Sequence, residues 1–281
     1  MKPNRLFLLT LLAMIAFASN SLLCRAALKH TGIDAASFTL IRILSGAGAL
    51  WLIMKLRRTP WIGASNWLSA LALFVYAAAF SFAYNTLAAG TGALLLFGAV
   101  QATMILWGLS KGESLRAAQL FGLALAAAGL VLLLFPGLSA PSLGGSALML
   151  GAGVAWGIYS LRGKGGKNPA GATAGNFLRA VPFAVALGIF LFPWTHFDRA
   201  GAVYAILSGA IASGAGYVIW YAALPGLKAA SAATVQLSVP VLAASGGILL
   251  LAEPLSLRFV LASLAVLGGI ALVVLEKRAS T

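Results

Sequence analysis

The 281-residue sequence predicts an all-α integral membrane protein with ten transmembrane helices, arranged as two inverted five-helix repeats. Three observations support this fold class: the composition, the alternation of apolar runs with basic gaps, and the similarity of the two halves. Hydrophobic residues make up 61% of the chain and charged residues 9%, whereas a soluble domain has roughly 25% charged residues. A lipid bilayer is therefore the expected solvent, and no length remains for a separate soluble domain.

Ten apolar runs are bounded by charged residues, glycine or proline. Each is close to the roughly 20 helical residues that cross a bilayer core about 30 Å thick. The predicted spans are residues 6–24, 35–54, 67–87, 93–109, 117–135, 145–161, 172–192, 201–223, 229–251 and 257–275.

The basic residues predict the orientation, because Lys and Arg are retained on the cytoplasmic side of a membrane. With ten spans, thirteen of the nineteen basic residues fall on one side, four on the other, and Arg42 and Arg179 lie inside spans. We therefore expect a multi-pass protein of a bacterial inner (plasma) membrane with both termini cytoplasmic. The basic residues that give the formal charge of +14 lie in the gaps between apolar runs and do not form one hydrated face. No nucleic-acid partner is therefore expected.

The two halves, residues 1–140 and 141–281, share short motifs in the same order. Because each half crosses the membrane five times, an odd number, the second half enters with the opposite orientation. Such an inverted repeat suits alternating access around a site near the midplane. The matching positions are Ala16, Ser21, Leu22, Arg42 and 111–115 in the first half, and Ala155, Ser160, Leu161, Arg179 and 251–255 in the second.

These motifs carry a resemblance to a known family. The Asn-Ser-Leu-Leu-Cys-Arg run at 20–25, the arginine of span two, and Gly-Glu-Ser-Leu and Ala-Glu-Pro-Leu before the last span of each half are the residues concerned. With them, the chain resembles an EamA-type member of the drug/metabolite transporter superfamily, and most of all the aromatic amino-acid exporters. The resemblance implies a ten-helix fold and the export of amino acids or related metabolites.

Ionisable residues inside spans are functional candidates, because a charge at the bilayer centre is costly. For Arg42 and Arg179 two interpretations stay open: the side chain extends to the nearer membrane surface, or it binds a substrate carboxylate, with Arg42 the better candidate. No Asp, Glu or His lies mid-span, which favours facilitative transport over a proton relay. Glu113 and Glu253 lie at helix junctions, where ion pairing or helix capping is expected.

The candidate substrate-binding residues are uncharged polar and aromatic side chains within the spans. A small-molecule site usually combines an apolar wall with a few converging hydrogen-bonding groups. The amides carry most weight, since an unpaired amide in hydrocarbon is costly and seeks the protein interior. An aromatic ring in a packed helix is also commonly part of the core, and that alternative stays open. The candidates are Asn20, Tyr76, Tyr84, Gln101, Trp107, Trp156, Tyr159, Tyr217, Trp220 and Gln236.

Pro240 falls inside predicted span nine. Its missing N–H and its ring loosen a helix over the preceding turn, which here contains Gln236. We expect a kink beside the substrate site, and this kink is either a moving gate or a fixed bend.

An enzyme is disfavoured, because the chemistry would need a catalytic acid or base inside the membrane. Asp34 and Asp198 are the only aspartates, and both lie in predicted turns, as do His30 and His196. One cysteine, Cys24, allows neither an intrachain disulfide nor a multi-cysteine metal site. No cofactor and no metal are expected.

Several kinds of transport protein stay open. A phosphorylated-sugar exchanger needs several basic residues around a central dianion, whereas here they lie at the membrane edges. A drug or lipid (amphiphile) exporter, proton-coupled or not, is the main alternative, and a passive channel differs only in its kinetics. The expected partners are a small-molecule substrate and the lipid bilayer. The sequence does not determine the oligomeric state, and a monomer is compatible with it.

Overall fold

A computed structural model describes residues 2–59, 65–112, 115–137, 140–163, 166–227 and 229–276. The secondary structure of this part of the chain is entirely helical. Nine of these residues, Leu207–Ala215, are π-helical. The α-helices are α1 Pro3–His30, α2 Ala35–Leu56, α3 Trp67–Ala83, α4 Ala89–Ser110, α5 Ala117–Leu134, α6 Leu143–Gly163, α7 Pro169–Phe190, α8 Arg199–Ile206, α9 Gly216–Ala223, α10 Ala229–Gln236, α11 Ser238–Leu251 and α12 Leu257–Glu276.

Ten apolar segments run through the described residues. Nine are long and apolar enough to cross a membrane, and the tenth, α3, is shorter at 17 residues. Segment eight combines α8, the π-helical residues and α9, and segment nine combines α10 and α11. The prediction of an all-α, multi-pass membrane protein with about ten spans is confirmed.

Several helices begin at a side chain that accepts hydrogen bonds from their first backbone N–H groups. These groups have no partner inside the helix, so a capping oxygen removes an uncompensated polar group near the membrane. The capping residues are Asp34 for α2, Asn66 for α3, Asn168 for α7 and Asp198 for α8.

Asp34 also links two loops that lie outside the spans. Its Oδ2 accepts from the backbone N–H of His196 at 2.8 Å, and its own N–H donates to the His196 carbonyl at 3.1 Å. Burial raises the pKa of Asp34, but hydrogen bonds from Ser37, and from the backbone of His196 and Ala36, outweigh it and hold the pKa below its ordinary value. The ionised carboxylate therefore fastens the α1–α2 loop to the loop before α8.

The structure differs from the sequence prediction in segments one and eight, and it locates the kink that was predicted in segment nine. Helix α1 continues to His30, so Arg25 lies inside the helix rather than in the following loop. Segment eight contains the π-helical residues instead of one continuous α-helix. Segment nine breaks at Leu237, because Pro240 cannot donate the helical hydrogen bond to the carbonyl of Gln236. This break lies in the turn that the sequence predicted to be loosened by Pro240, beside Gln236.

Helix packing follows a pattern in which the contacts of each half recur in the other. Helix α6 packs on α3 and α4, and helix α1 packs on segment eight and α11 in the same way. Helix α2 packs on segment eight and α7 packs on α3, and three further pairs join α2 with α7, α4 with α11, and α5 with α12. Each of these three joins helices that hold the same position in the two halves.

Glycines permit the closest of these contacts. A Cβ on Gly122 of α5 would lie 2.6 Å from the carbonyl oxygen of Gly269 on α12. A Cβ on Gly129 would lie 2.8 Å from the Cβ of Ala265. Small residues at both crossings let the two backbones approach, which is the usual basis of helix association in a bilayer.

Candidate functional site

The main cavity has a volume of about 680 Å³ and lies between the two halves of the bundle. Its wall is formed by α1, α3, α4, α6, α7, α9 and α10. At one end the wall includes loop residues 166–168, and at the other it stops at Asn20, Ser21 and Phe80, within the helices. The cavity is therefore a vestibule that reaches the loops on one side of the bundle.

Eight of the ten predicted substrate-binding residues line this cavity, although they come from six different helices. They were predicted because they are uncharged polar or aromatic side chains within the spans. Such groups are buried away from lipid, which explains why they meet at one cavity. They are Asn20, Tyr76, Gln101, Trp156, Tyr159, Tyr217, Trp220 and Gln236.

Tyr84 and Trp107 lie away from the cavity. Tyr84 is fully buried, its hydroxyl donates to the carbonyl of Ala89 at 3.2 Å, and its ring packs over Gly92. Trp107 is 52% exposed, and the Nζ of Lys111 lies 4.9 Å from its ring centroid. The first residue packs between helices, and the second has the position of an interfacial anchor.

Stacked aromatic rings form one wall of the cavity. Trp156 lies at its centre, with ring centroids 5.2 Å from Tyr159, 5.4 Å from Tyr217 and 4.8 Å from Tyr76. The interplanar angles of the first two pairs are 26° and 20°. This wall offers a flat, polarisable surface edged by tyrosine hydroxyls, which suits an apolar or aromatic group.

The three predicted amides all line the cavity, and their surroundings differ. The Oδ1 of Asn20 accepts from the hydroxyls of Ser208 at 2.8 Å and Ser213 at 3.2 Å, both in the π-helical residues. The Nε2 of Gln236 donates to the carbonyl of Ala232 at 3.3 Å. Gln101 is 8% exposed on α4. Two serines therefore orient Asn20, whose side chain lies at the deep end of the cavity.

Sequence reasoning missed a polar network on α6 and α7. Thr173 accepts from the hydroxyl of Tyr159 at 3.2 Å and lies 3.0 Å from that of Tyr221. Near the open end, Arg162 donates to Ser69 at 3.1 Å and to Asn66 at 3.0 Å. Thr173 and Asn176 are spaced so that they lie on one face of the helix in an apolar span. This spacing was the sequence signal that could have identified the network.

Arg42 is 2% exposed, so of its two open interpretations the one in which the side chain extends to the membrane surface is wrong. Its Nη2 donates to the hydroxyl of Tyr76 at 3.1 Å, and its guanidinium carbon lies 4.7 Å from the centroid of Phe80. Both rings line the cavity and Arg42 lies behind them. Arg179 differs, because it is only partly buried and donates to Ser65, at the loop before α3.

A largely buried polar cluster lies at the end of the bundle opposite the loop at 166–168. Glu253 pairs with Arg25 at 3.2 Å, and its Oε2 accepts from the N–H of Ala89 at 2.8 Å. Arg25 also donates to the carbonyl of Tyr84 at 2.9 Å. We call Arg25, Tyr84, Ala89 and Glu253 the closing cluster. The expected ion pairing and helix capping by Glu253 is confirmed, whereas Glu113 lies outside the described residues.

No described part of the chain brings together three or more His, Cys, Asp or Glu side chains that could hold a metal ion. The cavity wall, as far as it is described, contains Arg162 and Lys167 but no acidic residue. What the site offers a ligand is thus aromatic surface, neutral hydrogen-bonding groups and positive charge.

Comparison with known proteins agrees with this architecture. Residues 143–275 match the model of the EamA-like transporter family. The chain is 60% identical over 274 residues to an uncharacterized protein of Pseudomonas aeruginosa, which covers 97% of this chain and 96% of that protein. It is 28% identical over 258 residues to an uncharacterized transporter of Archaeoglobus fulgidus, covering 86% of this chain and 87% of the relative.

A crystal structure of a protein that is 17% identical has the same fold, with a TM-score of 0.68 and coverage of 96% of this chain and 98% of that one. The family match, the apolar helices and the cavity within the bundle agree with one another. Residues 143–275 form a domain of the EamA-like transporter family, and this match and the apolar helices support a multi-pass membrane transporter.

Proposed function

We propose that this transporter carries amino acids, including aromatic ones, or related small metabolites across a bacterial inner membrane, facilitatively and by alternating access. The observation that carries the proposal is the cavity of about 680 Å³, closed at one end, whose wall joins stacked aromatic rings to hydrogen-bonding side chains. An amino acid presents both kinds of surface, an apolar side chain and polar groups at the α-carbon. Sites for small ligands have this mixed lining and a volume of roughly 300–1,000 Å³.

Within this proposal, each residue group has a distinct role. The wall of stacked aromatic rings around Trp156 binds the apolar side chain of the substrate. Asn20, Gln101 and Gln236 bind its polar groups. Tyr84 belongs to the closing cluster rather than to the substrate site.

The packing pattern supports two inverted repeats, residues 1–140 and 141–281. Exchanging the halves converts the α6 contacts into the α1 contacts and leaves the α2–α7, α4–α11 and α5–α12 pairs unchanged. Tyr76 and Tyr217, which occupy the third segment of each half, both line the cavity. Two halves with equivalent contacts can exchange conformations, which is the structural basis of alternating access.

The basic residues give the proposed orientation. The open end of the cavity contains Arg162 and Lys167, on the side that holds thirteen of the basic residues. If this side is cytoplasmic, as the retention of basic residues predicts, the cavity opens to the cytoplasm and the closing cluster faces outward. This state is ready to take substrate from the cell, which supports export.

The described cavity wall supports facilitative transport, because it contains no carboxylate that could carry a proton with the substrate. Glu253 is 7% exposed and bound to Arg25 and Ala89. An exporter of drugs or lipid-like amphiphiles is the second candidate. Phe17, Phe97 and Trp220 add apolar surface to the wall, and that observation favours it.

Uptake of a labelled amino-acid panel into liposomes containing purified protein tests the proposal. The panel includes threonine, methionine and the aromatic amino acids, and each is measured with and without a proton gradient. We expect saturable uptake that does not depend on the gradient and that falls about tenfold in Trp156→Ala but not in Trp107→Ala. Competition by amphiphiles, with no uptake of any amino acid, supports the second candidate instead.

The break before Pro240 is proposed as a gate beside Gln236. Replacing Pro240 with alanine restores an N–H that can donate to the Gln236 carbonyl and continue the helix. We expect slower transport in Pro240→Ala with unchanged substrate affinity. Unchanged transport would leave the break as a fixed bend.

A further inference from the structure

Arg42 is a buried cation for which the described chain supplies no carboxylate. Glu253 pairs with Arg25, and Asp34 and Asp198 cap helices at the loops. The Nη1 atom of Arg42 is buried and has no hydrogen-bond partner among the described residues. The side chain therefore keeps its full charge and an unused donor inside the bundle.

The contacts that Arg42 does make direct its charge toward the cavity. Its guanidinium carbon lies 4.7 Å from the ring centroid of Phe80 and 5.4 Å from that of Tyr76. Both rings line the cavity, so Arg42 lies one layer behind its surface. Because the interior has a low dielectric constant, an uncompensated charge at this depth acts strongly on a ligand in the cavity.

The hydroxyl of Tyr76, a residue that lines the cavity, is hydrogen-bonded to Arg42. It accepts from the Nη2 of Arg42 at 3.1 Å, and it donates to none of the residues that the structure describes. A hydroxyl that accepts from a cation becomes a stronger donor, because hydrogen bonds in series polarise one another. The Tyr76 proton is thus available to an acceptor in the cavity.

We propose that the substrate carries a carboxylate, that this carboxylate accepts a hydrogen bond from Tyr76, and that Arg42 is the positioning residue that polarises Tyr76. The inference rests on the proposed function, since it identifies the chemical group by which the same cavity selects its cargo. Arg42 then acts on the carboxylate through Tyr76 rather than by direct contact. The bound carboxylate supplies the negative charge that Arg42 lacks in the empty site.

The transporter should then distinguish amino acids from their decarboxylated amines. Phenylalanine and 3-phenylpropionate keep the carboxylate, whereas phenethylamine keeps the ring and the ammonium group but loses the acceptor. A hydrogen bond to a charged group changes affinity by a factor of roughly 10 to 100. We therefore expect phenethylamine to compete at least about tenfold more weakly than either carboxylate.

The test is competition by these three probes, and by methionine and its decarboxylated amine, against uptake of labelled phenylalanine and methionine into liposomes. The variants are Tyr76→Phe, Arg42→Gln and Arg42→Lys, with Arg179→Gln as the matched control. Thermal unfolding in detergent verifies that each variant is folded. Tyr76→Phe keeps the ring and its stacking, so it remains informative if Arg42→Gln does not fold.

We expect Tyr76→Phe and Arg42→Gln to lose the preference for carboxylates, Arg42→Lys to retain part of it, and Arg179→Gln to behave as wild type. Equal competition by amines and carboxylates in the wild type would overturn the inference while the amino-acid carrier stands. An unchanged preference in Tyr76→Phe would overturn the role of Tyr76. No uptake of either amino acid by folded wild-type protein would overturn the proposed function together with this inference.

Discussion

Replacing Glu253 with glutamine is expected to open the closed end of the cavity. Glu253 accepts from Arg25 at 3.2 Å and from the N–H of Ala89, at the start of α4, at 2.8 Å, and the two side chains of the ion pair are 14% and 6% exposed. Glutamine retains one acceptor oxygen and loses the charge that both contacts favour. A hydrogen bond to a charged group contributes about 1.5–3 kcal/mol to the stability of the closed state. Its loss should lower the ratio of closed to open protein by about tenfold or more.

The native cysteine reports this opening. Cys24 is fully buried in α1, one turn beyond Ser21, which lines the cavity, and next to Arg25 in the closing cluster. In right-side-out membrane vesicles, a membrane-impermeant maleimide should label Cys24 slowly in the wild type. We expect labelling in Glu253→Gln to be about tenfold faster, because the open state becomes that much more populated.

Two controls make the labelling result decisive. Cys24→Ala measures background labelling, and Asp198→Asn makes the same carboxylate-to-amide change at a loop outside the closing cluster. Asp198→Asn should label at the wild-type rate. Equal labelling rates in Glu253→Gln and the wild type would refute the assignment of the closing cluster as the barrier.

Three further predictions follow from the packing, the aromatic wall and the loop contacts. Gly129→Leu should lower the free energy of unfolding by about 1–3 kcal/mol, measured in detergent, because its Cβ would lie 2.8 Å from that of Ala265. Trp156→Ala should weaken substrate binding about tenfold, measured by ligand-dependent thermal stabilisation, whereas Trp107→Ala should not. Asp34→Asn should lower stability by about 1–2 kcal/mol between pH 5 and 8. Because the pKa of Asp34 is lowered by folding, its contribution is present above about pH 4 and is lost as the pH falls through the folded-state pKa, so wild type and variant should converge in acid. A stability difference that does not depend on pH would contradict this.

Much of the fold was predictable from the sequence, because the bilayer imposes a length and a composition on every crossing segment. The amides were predictable for the same physical reason, since Asn20, Gln101 and Gln236 avoid lipid and all line the cavity. Aromatic residues were harder to assign. Tyr76 and Tyr84 are both buried aromatics, in α3 and at its C-terminal cap, and only helix packing determines which of them borders the cavity.

The position of Arg42 could not be predicted, because its depth in the span permitted both a surface and an interior side chain. Phe80 and Tyr76 on α3 hold it inside, and these contacts depend on how α2 and α3 pack. The break at Leu237 was predictable, since a proline loosens the turn before it. The network around Thr173 was missed because threonine is common in membrane helices that contain no site.

The most direct test of the central claim is counterflow in liposomes loaded with unlabelled phenylalanine or methionine. A carrier that alternates its access exchanges internal for external substrate, so labelled amino acid should accumulate transiently above its equilibrium level without any ion gradient. We expect this overshoot in the wild type and its reduction in Trp156→Ala. Saturable uptake without an overshoot, or uptake that requires a proton gradient, would contradict a facilitative carrier that works by alternating access.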